Sequence, residues 1–281
     1  MSSWTNATPA TTPDGVILRR RSLDHAVDRL LAEPSGQLTD WVDTYWGFSW
    51  HAPQAVQSSL VPQFAVNLTF EDNTGRPGAD SSVVLTGVPD ARFDVELTGG
   101  GHVIGVKLRP GTFTAVTGTD ATSVTGRTVR ASDVLPSSLV AAFATIAGLP
   151  PVRGDSEQIT ALDDLVQSVV PDRVPDDCTR ARTILQDAHL PDVTRVDDLA
   201  ERHDMSVRTL QRLFERWVGL SPKSVITRLR LQDVIAALDD VATEPLADIA
   251  VRLGFYDQAH FTREFTRFIG VSPARYVAEL D

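Results

Sequence analysis

One cysteine in 281 residues, Cys178, leaves no partner for an internal disulfide and points to a reducing compartment. Long apolar runs are missing as well. No 18-residue apolar stretch offers a spanning helix, and the opening MSSWTNATPATTPDG lacks the apolar run of a secretory signal. A cytoplasmic protein is expected. Positive charge is in short supply: 26 Lys and Arg stand against 37 Asp and Glu, a net charge of −11 that at first sight disfavours a polyanionic partner. Clustered metal ligands are lacking too. His51, His102, Glu71 and Asp72 are candidates, but none falls in an H-x-H or H-E-x-x-H spacing, so no metal site is expected.

What is there is an ordinary globular composition, 42% apolar and 22% charged, long enough for one large domain or two ordinary ones. The charge is unevenly spread. Between residues 206 and 230, Arg208, Arg212, Arg216, Lys223, Arg228 and Arg230 face Glu215 alone, a local excess of +5 inside an acidic chain. Such a stripe is what an acidic protein needs if it is to meet a polyanion at one place.

The chain changes character along its length. Up to about residue 110, short apolar runs such as TYWGFSW, FAVNLTF, SVVLTGV and HVIGVKLRPG alternate with Gly, Pro and Asp, the pattern of a β-rich barrel or sandwich. Trp46, Phe48 and Trp50 alternate with their neighbours and are expected to fill its interior. Helical spacing then begins, in SSLVAAFATIAG and SEQITALDDLVQSVV, which read as helices covering an apolar face. The segment PDRVPDD, residues 171–177, reads as a linker. The expectation is an α+β chain, with a β-rich domain over residues 1–175 and an all-α domain over 176–281.

The second half contains a repeat. Asp198, Ala200 and Arg202 recur fifty residues on as Asp248, Ala250 and Arg252. After a one-residue insertion, Arg212, Phe214, Arg216, Gly219, Ser221 and Pro222 recur as Arg263, Phe265, Arg267, Gly270, Ser272 and Pro273. Each copy reads as helix, tight turn, helix. Ala200 and Ala250 permit close helix approach, the turns fall at His203-Asp204-Met205 and Gly254-Phe255-Tyr256, and Ser206 and Asp257 are suited to cap the second helices. Leu210, Leu213, Phe214 and Trp217 make one buried stripe, and Phe261, Phe265 and Phe268 the other. This is the helix-turn-helix plan, whose second helix enters a DNA major groove. Base edges there call for long hydrogen-bonding side chains. Arg208, Gln211 and Arg212 occupy the outward positions of one copy, and Gln258, His260 and Arg263 those of the other.

The motifs A-x-x-x-x-M-S-x-x-x-L-x-R-x-F-x-x-x-x-G-x-S-P, from Ala200 to Pro222, and G-F-x-D-x-x-x-F-x-R-x-F-x-x-x-x-G-x-S-P, from Gly254 to Pro273, resemble the AraC/XylS family of bacterial transcription regulators. The resemblance covers about residues 177–281. It implies two helix-turn-helix units joined by a long helix, residues 222 to about 240, with base-reading roles at Arg208, Gln211 and Arg212 and at Gln258, Ala259, His260 and Arg263. Ala259 offers only an apolar contact, for instance to a thymine methyl. Arg216, Lys223, Arg228, Arg267 and Arg275 are the candidate phosphate contacts. Two residues depart from the family pattern: Asp204 stands for the commoner turn glycine, and Val277 stands where a basic residue often ends the domain.

The N-terminal half resembles the family's regulatory domains more loosely, through LVPQFAVNLTF and KLRPGTF. That implies a domain that binds a small-molecule effector, forms a homodimer, or both. The implied partners are a double-stranded DNA operator and, as a candidate, RNA polymerase; neither cofactor, catalytic residue nor membrane is implied. The alternative is a β-barrel enzyme carrying a DNA-binding appendage.

Overall fold

Segments rich in Val, Ile, Thr and aromatic residues at period two favour pleated backbone, since each residue presents alternate faces. The computed structural model describes residues 11–12, 15–18, 27–61, 63–72, 74, 82–89, 93–150, 156–240 and 257–278. Eight described strands pair antiparallel: β1 (Thr11–Thr12), β2 (Gly15–Leu18), β3 (Val27–Ala32), β4 (Val42–Val61), β5 (Asn67–Asp72), β6 (Ser82–Thr86), β7 (Phe93–Leu108) and β8 (Thr128–Arg130). Their order is β1-β2-β4-β7-β5-β6-β8, with β3 also on β4. Among the described residues the ladder runs from β1 to β8 without closing. Irregularities in β4 at Val42/Thr44 and Ala52/Val56 give the longest strand its bends.

The two faces of this sheet differ in chemistry. Tyr45, Ile104 and Val106 point to one face and are sealed by α2 (Ser137–Ala147) and α3 (Ser156–Gln167), through Phe143, Ala147, Leu162 and Val166. The Tyr45 hydroxyl donates to Asp163 Oδ1 at 2.7 Å. Burial, with help from that carboxylate, pushes the phenol far above its ordinary range. The other face carries Trp46, Phe48 and Trp50, with rings 6.1 and 5.7 Å apart in succession. Trp46 lies over its ladder partner Gly105, where a Cβ would come within 2.3 Å of the indole. Only glycine admits that approach.

The remaining helices are α1 (Thr112–Thr117), α4 (Asp176–Asp187), α5 (Val196–Arg202), α6 (Val207–Trp217), α7 (Pro222–Asp240), α8 (Gln258–Ile269) and α9 (Pro273–Ala278). Asp176 and Asp177, expected in the linker at 171–177, instead open α4, and the core does not stop at the connecting segment. Val66, Leu85, Val88, Phe113 and Val124 pack in one buried cluster with Cys178, Ile184, Leu199, Phe214 and Trp217. Val174, in the connecting segment, packs against both this cluster and the one beneath α2 and α3. Arg182 of α4 ties the seam, donating from Nε to the Pro110 carbonyl and from Nη1 to that of Asp40, each at 2.7 Å.

Candidate nucleic-acid interface

The first unit is α5, a turn and α6. Asp198 caps the start of α5, accepting from the backbone N–H groups of Thr194 and Arg195 at 2.8 and 2.7 Å. Those hydrogen bonds, that from Thr194 first, hold its carboxyl below the usual range. Asp204 supplies the turn with φ of 51°, the left-handed conformation usually left to glycine. Asp is among the residues that tolerate it, so the departure from glycine is accommodated at some cost in strain. Ser206 then caps α6, accepting from the Thr209 N–H at 3.1 Å.

From residue 257 onward the second unit repeats the cap of its second helix. Asp257 caps α8, accepting from the His260 N–H at 2.6 Å. The second helix of each unit ends on a left-handed glycine, Gly219 at φ 84° and Gly270 at φ 83°. Ser221 and Ser272 each accept from the backbone N–H three residues on and start the next helix, whose first residue is Pro222 or Pro273. Gly254, Phe255 and Tyr256, with Asp248, Ala250 and Arg252, lie outside the described residues, as does the Val277 side chain.

Burial divides the second helix of each unit in two. Leu210, Leu213, Phe214 and Trp217 are buried on α6, while Arg208, Gln211 and Arg212 are exposed one face away. On α8, Phe261, Phe265, Phe268 and Ile269 are buried; Gln258, Ala259 and Arg263 are exposed and His260 is half-buried. Both Arg212 and Arg263 thus project from the outward side of a capped helix, at equivalent places in the two repeats.

The five expected phosphate contacts are placed less uniformly. Lys223, Arg267 and Arg275 are exposed. Arg267 pairs with Glu264 at 2.7 Å, and Arg216 lies 3.5 Å from Asp120 of the sheet region. Such exposed pairs exchange readily for another anion, since each contributes only about 0–1 kcal/mol. Arg228 departs from the expectation. It is 7% exposed, held inside the molecule where no phosphate reaches, because α7 is buried on most sides, at Val225, Ile226, Leu229, Leu231, Val234 and Ile235. The four metal-ligand candidates are not gathered. His102 faces Asp72 at 3.7 Å and the Ala147 carbonyl at 3.1 Å, and Glu71 accepts from the hydroxyls of Thr69 and Thr74. No group of three His, Cys, Asp or Glu among the described residues has the geometry of a metal site.

Residues 199–279 match the model of a helix-turn-helix domain family. RhaS of Escherichia coli strain SE11, an HTH-type transcriptional activator, is 36% identical over 85 residues, which are 30% of each chain. An HTH-type transcriptional regulator of Haemophilus influenzae is 33% identical over 81 residues, 29% of this chain and 27% of that one. The C-terminal part is thus similar to regulators of the AraC/XylS type. Among solved structures, the C-terminal domain of AraT from Geobacillus stearothermophilus shares 27% identity with a TM-score of 0.33, covering 38% of this chain and 88% of that one. ToxT of Vibrio cholerae shares 10% with a TM-score of 0.39, covering 90% and 98%. The chain spans less than a third of the length of the curated relatives it matches. Ahead of the helix-turn-helix part, residues 31–130 match a domain of unknown function (DUF6597).

The side chains that dock the helix-turn-helix units onto the sheet region were not foreseen. Thr114 donates its hydroxyl to the Arg216 carbonyl, and Thr125 to that of Gly219, both at 2.7 Å. Threonines bonding main-chain carbonyls across roughly a hundred residues leave no pattern in a sequence.

Proposed function

We propose that the chain is a sequence-specific DNA-binding transcription regulator of cytoplasmic location, in which residues 176–281 read an operator and residues 1–175 sense a small molecule, dimerise, or both. The observation that carries the reading is the matched pair of reading helices. Each is capped by Ser206 or Asp257, closed by a left-handed glycine and faced outward by Arg212 or Arg263. Arg208, Gln211 and Arg212 read one patch of bases, and Gln258, Ala259, His260 and Arg263 the other, with the two helices entering major grooves about 34 Å apart. Lys223, Arg216, Arg267 and Arg275 contact phosphates. Support for the sensing role comes from the sheet face away from the helices. There the Trp46, Phe48 and Trp50 rings share a surface with buried Glu71 and with Lys107, whose ammonium lies 2.7 Å from Asp43. Flat apolar rings beside a few fixed charges suit a small, partly polar effector.

The test is a binding-site selection from randomised duplex DNA with the wild type, Arg212→Ala and Arg263→Ala. Each variant is expected to lose about 1 to 3 kcal/mol and to relax base preference only in its own patch, as a bidentate Arg–guanine contact requires. Retention of the wild-type preference at every base by both variants would overturn the assignment.

A further inference from the structure

Arg228 stands where three parts of the chain meet. It lies on α7, the helix joining the two units. Its Nη1 donates to the Pro89 carbonyl of the sheet region at 2.6 Å, and its guanidinium carbon sits 5.7 Å from the centre of the Phe268 ring on α8. Pro89 is itself held. The segment before it is pinned by Gly87 N–H to the Arg127 carbonyl at 3.0 Å and by Gly126 N–H to that of Val88 at 2.9 Å, and Val88 is buried. The loop carrying Gly126 also carries Thr125, whose hydroxyl holds Gly219 at the end of the first reading helix. One braced pair of loops in the sheet region therefore touches the first unit directly and reaches the second through Arg228.

A guanidinium is planar, and a carbonyl at one nitrogen with a ring against its face fixes both its position and its tilt. We infer that Arg228 is a positioning residue that sets the separation and rotation of the two reading helices, and hence the spacing of the base patches one protomer accepts. The inference rests on the DNA-reading function proposed above. It assigns Arg228 a role in specificity without contact to DNA.

The experiment uses the full chain. A site is selected from a randomised duplex library, and binding is measured to that site and to versions with a single base pair added or removed between the patches. Each change moves one patch by about 3.4 Å and turns it by about a tenth of a helical turn. The wild type is expected to reject both altered sites. Arg228→Ala is expected to keep the base preference of each patch, to lose about tenfold in affinity at the native spacing, and to accept the altered sites nearly as well, because its second unit is tethered but no longer pre-positioned. Phe268→Leu should shift spacing tolerance the same way with Arg228 in place, and Arg228→Lys, which keeps a charge and a donor, should restore part of the discrimination. Wild-type discrimination in a folded Arg228→Ala protein overturns the inference. If that variant does not fold, unchanged discrimination in both Phe268→Leu and Arg228→Lys overturns it equally. A wild-type chain that selects no sequence at all refutes the DNA-reading function itself, a different result from binding with unaltered spacing.

Discussion

The Thr114 hydroxyl donates to the Arg216 carbonyl at 2.7 Å, so the last turn of the first reading helix is closed by a side chain of the sheet region. A helix end leaves carbonyls without intrahelical partners, and here one is satisfied from a segment 102 residues away. Thr114→Val keeps the shape and removes the donor. It should cost about 1 kcal/mol in chemical denaturation, as does Thr125→Val, which strips the same support from Gly219. Base preference should not change in either, which a repeat of the binding-site selection checks.

Gly219→Ala is expected to do more harm. The backbone there has φ of 84°, and a Cβ would lie 2.7 Å from the Thr125 hydroxyl and 3.2 Å from Ala121. Strain and collision together should cost about 1–3 kcal/mol, read as a lowered thermal midpoint. An unchanged midpoint would mean that the seam is not packed as described.

Salt separates surface cations from buried ones. Replacing Lys223, which is exposed, by Ala should reduce the slope of log affinity against log salt by about one, the share of a single phosphate contact. Replacing Arg228, which is buried, should lower affinity while leaving that slope as it is. Titrations at several salt concentrations decide between the two patterns.

Asp233 on α7 makes stability depend on pH. Burial raises its pKa from the ordinary 3.8 to about 6, with Arg230 opposing the rise. The folded chain then holds this proton more tightly than the unfolded one between about pH 4 and 6, so the ionised carboxyl costs stability at pH 7 and the cost fades as pH falls through 6. Asp233→Asn should therefore stabilise the protein at pH 7 by about 1–2 kcal/mol, allowing for partial exposure, with the difference from wild type vanishing near pH 4. Denaturation at pH 7, 6, 5 and 4 checks the sign.

The reading units were legible in the sequence because their code is local. Caps at Ser206 and Asp257, glycines at 219 and 270, and apolar residues at helical spacing each act within a turn or two, and the repeat displays every device twice. Even the strain at Asp204 could be anticipated, since the turn demands a conformation that glycine adopts most cheaply. Arg228 was misplaced for the opposite reason. An arginine among other basic residues reads as surface, and only the packing of α7 on several sides at once, a property of no single stretch, puts it inside. The shared core could not be read either: the composition does change near residue 175, but Phe113 and Val124 meet Ile184 and Trp217 through folding alone.

That shared core bears on how such a protein can be altered by recombination. A cut at residue 176 looks like a natural place to exchange one N-terminal half for another, yet it would part Phe113 and Val88 from Phe214 and Trp217, and Thr114 and Thr125 from the carbonyls they serve. A grafted half must bring matching shapes and hydroxyls to the same places. The halves of this chain thus share one seam, and a chimera that ignores it would leave the end of the first unit's second helix frayed.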